Sequence, residues 1–404
     1  MPMMSPPQGA GTRPLRVCHV VYAFYESDSR VRMYAEASVG RGDQVEVVSL
    51  RKPGQKIEGL VEGVKVHRIQ ERIVDEHGSW DYLRRILKFF MLSARFLSCR
   101  CLSGDRCFDL VHVHSVPDFE VFAAVAAKLR GAKVILDIHD LVPEFYAGKF
   151  GAAEESLVFR SLLLAEKVST AFADHVITAN HLWEKTLIRR AVPKEKCSTF
   201  LNYPAPAFFR KYPRDRRDGK IRMIYPGTLN RHQGVDIAVR ALDLVRNEAP
   251  EAELYIYGEG PDRPFLEKMV TDLSLSDRVF IRNFLPLEKI IPIVADADIG
   301  IVPKRAEGFG DTAFSTKILE FMALEVPVIV AKTTIDRYYF DETLVEYFTP
   351  GSPESLAEAM LRLIERPQRR ASLVANATNY VRKNSWQVKK SNYLRLVDDL
   401  AGAI

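Results

Sequence analysis

The segment FGDTAFSTKILEFMALEVPVIV (309–330) concentrates residue types that handle a phosphorylated ligand. It follows the apolar run DIGIVP (298–303) and a Gly-containing loop, and Ser315 and Thr316 fall where a helix would start. Ser or Thr in that place caps the first turn. The free N–H groups and positive end of such a helix suit a phosphate, and Lys317 adds a cation at the same mouth. Phe314 directly precedes this group, and Glu320 follows about one and a half turns in. A carboxylate there suits both hydroxyls of a ribose. The same residues equally suit a well-capped surface helix with solvated Glu and Lys.

A second loop, PGTLNRHQG (226–234), joins the run IRMIY to a helix starting near Val235. Gly227 lets backbone approach a ligand, Thr228 follows it, and the loop ends at another helix start. Of the nearby cations Arg231, His232, Lys304 and Lys317, we expect Arg231 and Lys317 on a diphosphate. An ordinary loop with a solvated Arg is the other reading. GEGPDR (258–263) is no dinucleotide fingerprint, because Arg263 replaces the third small residue.

VHVHSVPDFE (111–120) and LDIHDLVPEF (136–145) place His114 and His139 at the ends of neighbouring strands. The spacing offers no third ligand and no paired CxxC, so no metal is expected. A neutral imidazole both donates and accepts, which suits a sugar hydroxyl. His139 tied to Asp137, Asp140 or Glu144 as a structural group is the alternative. Asp28 and Arg30, in YESDSRVR, follow the first strand and are expected with His114 at a ligand-facing acceptor cleft, or as a surface ion pair at a helix start. YLRRILKFFMLSARFLSCR (82–100) mixes five cations with Leu, Ile, Phe and Met. It suits either an anionic membrane surface or a core-packed helix with a charged rim.

These residues hang on short β-branched runs alternating with helical patterns, which implies parallel sheets covered by helices on both faces. Strands are expected at 16–24, 44–50, 65–69, 109–115, 132–140, 175–180 and 197–204, with helices at 29–42, 120–131 and 153–172. PAPAFFRKYPRDRRDGK (204–220) breaks the rhythm as a linker would. The alternation then restarts and runs to a last helix near 385–401. The expected architecture is α/β, with two doubly wound Rossmann-like domains facing across a cleft. Their expected extents are a loose tail 1–13, a first domain 14–204, a second domain 205–384 and a C-terminal helix 385–404.

The 404 residues, 47% hydrophobic and 27% charged, are those of a globular protein able to bury large cores, which excludes a disordered or collagenous chain. A formal charge of +5 is too slight to argue for nucleic acid. Five scattered cysteines suggest reduced thiols in a cytosol. No secretory signal or spanning run is visible, so a cytoplasmic protein is expected, peripheral at most to the inner face of the membrane.

The two wound halves, S-T-K-I-L-E-F-M-A followed by P-V-I-V, Y-P-G-T-L-N-R-H-Q-G-V-D (225–236), Y-G-E-G-P (257–261) and the Trp386 segment together resemble family 4 glycosyltransferases of the GT-B fold. The resemblance runs from about residue 15 to 404. It implies a retaining, metal-independent transferase that uses a nucleotide-activated sugar and a glycan or lipid-linked acceptor, with no cofactor. In it Glu320 grips the ribose, Ser315, Thr316, Lys317 and Arg231 hold the diphosphate, His139 positions the donor sugar, and the last helix returns to the first domain. Two departures stand out. Thr312 occupies the family's earlier glutamate position, with Glu307 and Asp311 as substitutes, and Thr228 and Gln233 occupy its usual Arg and Lys places. Glu325 also stands where a Gly is usual. These departures leave a sugar-nucleotide epimerase and a non-catalytic nucleotide-sugar-binding or membrane-surface assembly protein as alternatives.

Overall fold

The computed structural model describes residues 13–72, 79–102, 107–150, 156–210, 212–214 and 216–402. The expected tail lies, but for its last residue, outside them. The chain forms two compact units, one running to Leu201 and resuming at Lys389, the other Asn202–Val388.

The strands of the first unit are β1 (Arg16–Val21), β2 (Gln44–Arg51), β3 (Glu58–Val61), β4 (Val64–Glu71), β5 (Leu110–His114), β6 (Lys133–Ile138), β7 (His175–Thr178) and β8 (Cys197–Thr199). They form one sheet in the order β3-β4-β2-β1-β5-β6-β7-β8. All neighbours are parallel except β3 and β4. β5 is buried at every position, as a strand covered on both faces must be. The β3–β4 hairpin was not expected. Its two loop residues, Glu62 and Gly63, both have positive φ (49° and 79°), the backbone of a type I′ turn.

The helix Trp386–Ala401 ends in this unit. Its Tyr393 is fully buried, with its ring 4.3 Å from that of Tyr34 and its hydroxyl 3.1 Å from His112 Nδ1. Arg41 holds Asp398 of the same helix at 2.5 Å.

The second unit carries β9 (Ile221–Pro226), β10 (Ala252–Tyr257), β11 (Val279–Arg282), β12 (Ile299–Val302), β13 (Val328–Ala331) and β14 (Glu346–Phe348). They lie in the order β11-β10-β9-β12-β13-β14, all parallel. One face is filled by the helices Val235–Val245 and Pro353–Glu365, the other by Leu287–Ala295 and Thr316–Ala323.

Two expectations are corrected here. The Pro-rich stretch 204–220 is not a free linker. Phe208 is buried in the second core, Arg214 Nη2 donates to the Leu324 and Glu325 carbonyls at 2.9 Å, and Arg216 is paired with Asp298. The thiols are not all reduced either, since Cys101 and Cys107 form a disulfide while Cys18, Cys99 and Cys197 are free. Among the described residues, no helix is long and apolar enough to cross a membrane.

Candidate functional site

In the second unit, β9 ends at Pro226 and the chain turns at Gly227, whose N–H donates to Tyr257 O at 2.8 Å. Leu229 N–H donates to Glu259 O at 2.9 Å, so the loops after β9 and β10 lie flush. A Cβ on Gly258 would sit 1.8 Å from Gly227 O. The glycines of GEGPDR therefore serve a backbone-to-backbone approach.

The helix Thr316–Ala323 starts against this floor. A Cβ on Gly227 would lie 2.4 Å from Lys317 Cε and 2.9 Å from its Nζ, so any larger residue would push that ammonium from its place. Lys317 Nζ lies 5.4 Å from the Tyr225 ring centroid and 3.4 Å from Gln233 Oε1. The Tyr225 hydroxyl donates to Thr228 O at 2.8 Å and lies 3.1 Å from the same Gln233 oxygen. Gln233, at the place of an expected cation, instead orients Lys317 from the facing loop. Burial lowers the Lys317 pKa, against the opposing pull of Glu320. Burial likewise raises the Glu320 pKa, opposed by Lys317 and by a hydrogen bond from Thr316.

Ser315 occupies the N-cap position but makes no capping bond. This corrects the expected cap. Its Oγ is buried with no hydrogen-bond partner among the described residues. A buried hydroxyl in that state, at a helix start and two residues from an ammonium, suits a bound anion.

Other expected contacts fall elsewhere. Lys304 is buried and committed to Asp336 (2.8 Å) and the Ala313 carbonyl (2.7 Å). Phe314 packs edge-on against Tyr339, with centroids 5.0 Å apart, as part of the apolar wall rather than as an open ligand face. Arg231 and Thr228 are exposed on the loop. Of the candidates for the missing glutamate, Asp311 accepts from Thr334 N–H at 2.8 Å, Glu307 is exposed, and Thr312 Oγ1 lies 3.5 Å from Phe309 O.

The first unit holds a separate polar chain centred on Asp137, which has no exposed surface. Arg30 grips it with Nε (2.8 Å) and Nη2 (2.7 Å) and donates Nη1 to Phe200 O at 2.6 Å. His114 Nδ1 and His139 Nε2 both reach Asp137 Oδ2, at 3.1 and 3.0 Å. His114 Nε2 lies 3.0 Å from His19 Nδ1. Burial alone would raise the Asp137 pKa, but Arg30 and the imidazoles hold it well below the usual carboxylate range. An ionised Asp137 accepts an N–H from each histidine, which turns His139 Nε2 inward and leaves its Nδ1 at the open end. Burial and neighbouring imidazoles keep His19 and His112 neutral, their pKa values well below the ordinary histidine range.

The His139 side chain is 20% exposed, which makes it the open end of this chain. His114, expected at the cleft, is buried, and Arg30, expected at the cleft or in a surface ion pair, is paired with Asp137 in the interior. Asp28 is a helix cap, its carboxylate accepting from Val31 N–H at 3.0 Å. The fold also brings together groups that linear spacing did not show. His19, His112 and His114 gather in one group, and His114, Asp137 and His139 in another.

Comparison with known proteins follows the same division of the chain. Residues 27–202 match the family model of the glycosyl transferase 4-like domain, and residues 210–380 that of glycosyl transferases group 1. The chain belongs to the glycosyl transferase 4-like and group 1 families. Alpha-D-kanosaminyltransferase of Streptomyces kanamyceticus is 27% identical over 161 residues, 40% of each chain. One component of human phosphatidylinositol N-acetylglucosaminyltransferase is 25% identical over 362 residues, 87% of this chain and 69% of that one. The matches span 40% and 47% of the length of the first two curated relatives. Among solved structures, sucrose-phosphate synthase of Thermosynechococcus elongatus superposes with a TM-score of 0.78 at 18% identity, covering 97% of this glycosyltransferase and all of that chain. Anabaena HepE in complex with UDP-glucose gives 0.72 at 16% identity, covering 95% and 100%. The fold is that of the GT-B glycosyltransferases.

Proposed function

We propose that this glycosyltransferase moves a hexose from a nucleoside-diphosphate sugar to a hydroxyl of a glycan or lipid-linked acceptor, with retention of anomeric configuration. The observation that carries the reading is the start of the helix Thr316–Ala323. There a buried, unpartnered Ser315 hydroxyl precedes Glu320 by about one and a half turns and the Lys317 ammonium precedes it by just under one.

As the glycosidic bond breaks, positive charge grows on the sugar and negative charge on the departing diphosphate. Donors fixed beforehand at a helix start stabilise that anion without reorganising. Lys317, Ser315 and Thr316 fill this role, with Arg231 reaching from the exposed loop. They supply the charge that a metal supplies elsewhere, so no metal or other cofactor is required. Glu320, its carboxyl pushed up by burial, regains its charge when two ribose hydroxyls donate to it. His139, open to solvent and held by Asp137, offers Nδ1 to a hydroxyl of the transferred sugar. The ligands bound in similar folds support a nucleotide-sugar donor, with HepE solved with UDP-glucose and starch synthase IV with ADP. A lipid-linked acceptor is supported by the human relative, a subunit of phosphatidylinositol N-acetylglucosaminyltransferase.

The test incubates the protein in EDTA with UDP-, GDP- and ADP-hexoses, with and without glycan or lipid acceptors, and reads product anomers by NMR. One donor should be consumed only when an acceptor is present, giving an α-product from an α-donor. An altered sugar nucleotide formed without acceptor would make the protein an epimerase. Donor binding without consumption would make it a binding protein.

A further inference from the structure

The helical layer on one side of the first unit carries a pattern that sugar transfer does not use. Right-handed crossovers place the helices Ser79–Leu102 and Leu157–Phe172, with the 3₁₀ turn Asp118–Ala124, on the same face of the sheet. The turn lies between the helices, since Phe90 meets Phe119 edge-on at 5.9 Å and Phe122 meets Phe172 at 5.1 Å.

Ser79–Leu102 buries Ile86, Phe89, Ser93 and Leu97 toward the sheet. On its outer side Leu83, Leu87 and Met91 recur every fourth residue, 41%, 44% and 63% exposed. Beside them Arg84, Lys88 and Arg95 are exposed and form no ion pair with a described residue. The helix's one acid, Asp81, is held by Arg85 at 2.8 Å. Leu157–Phe172 repeats the design. Leu157, Leu164 and Val168 are exposed opposite the buried Phe159 and Ser169, with Arg160 and Lys167 alongside. Its one acid, Glu166, is buried against Arg190.

Apart from Asp81, which is paired with Arg85, the exposed charges described on the two helices are all positive and set among exposed aliphatic side chains. We propose that this face lies on an anionic lipid surface, its leucines and Met91 at the headgroup boundary and its cations on lipid phosphates. Lysines are depleted where proteins meet proteins, whereas Lys and Arg beside Leu snorkel readily at a bilayer boundary. The face uses no residue of the proposed donor site, so its failure leaves nucleotide binding untouched.

The test sediments the full chain with vesicles of phosphatidylcholine alone or mixed with phosphatidylglycerol. Binding is expected only to the mixed vesicles and should fall as salt rises. An Arg84→Glu/Lys88→Glu variant should lose on the order of tenfold or more of its partition, at about 1 kcal/mol per cation. Met91→Ser should also weaken binding. Both variants should unfold at the wild-type temperature, because the replaced side chains are exposed. Binding to neutral vesicles alike, no binding to either, or salt-insensitive binding of the wild type would overturn the proposal. So would a self-association in solution that both variants abolish, which would assign the face to a second copy of the chain.

Discussion

Asp137 and Arg30 stand 107 residues apart in the chain and meet with almost no exposed surface. Removing one charge strands the other, so Asp137→Asn should destabilise the first unit by about 3–5 kcal/mol in denaturant titration. The buried histidines set a pH dependence. His19 and His112 have folded pKa values well below their ordinary 6.5, so below that pH the unfolded chain binds protons the folded chain refuses. Stability should therefore be intact above about pH 6.5 and fall as the medium is acidified, by up to about 1.4 kcal/mol per pH unit for each histidine. A His112→Gln variant should show a slope shallower by one proton, read from denaturation at several pH values. At this scale the sequence was legible where function follows a local rule. The helix that Ser315 and Thr316 open, with Lys317 and Glu320 on it, was legible because helix starts follow such a rule. The burial of Arg30 and His114 was not legible, because a partner distant in the chain decides whether a polar residue faces ligand or core.

The turn after the helix Thr316–Ala323 shows what an element requires. Glu325 sits there with φ of +58°, while Val326 N–H reaches back to Phe321 O at 2.9 Å. This left-handed helix end normally takes Gly, which explains why Glu there looked out of place. Glu325→Gly should raise stability by about 1 kcal/mol, measured by urea unfolding. An unchanged or lower stability would mean that the turn relaxes around the side chain. Most strands and helices were legible from their apolar period. The helix Pro367–Lys383 was not, because only Leu373, Ala377 and Val381 are buried, a seam too thin to stand out among its polar residues. The hairpin turn Glu62–Gly63 lacks the Asn or Asp that usually announces one.

At the scale of the whole molecule, two sheets each carry a core, and the proposed donor residues Gly227, Ser315, Lys317 and Glu320 all belong to the second unit. The fold class was legible in the alternation of strands and helices. That the proline-rich stretch 204–220 packs against a core was not, because Phe208 is its lone deeply buried aromatic anchor. Tyr393 plugs the first unit from the chain's far end, so Tyr393→Ala should cost about 3–5 kcal/mol there. Calorimetry should show two transitions, only one of them lowered by that change, and one transition moved as a whole would contradict separate cores. The most direct test of the donor site is a thermal-shift panel of UDP, GDP, ADP and NAD on the wild type and Glu320→Ala. One nucleoside diphosphate should raise the melting temperature of the wild type, and the variant should lose that shift. Stabilisation by NAD alone, or a shift that survives in the variant, would contradict the ribose-gripping role of Glu320 on which the account rests.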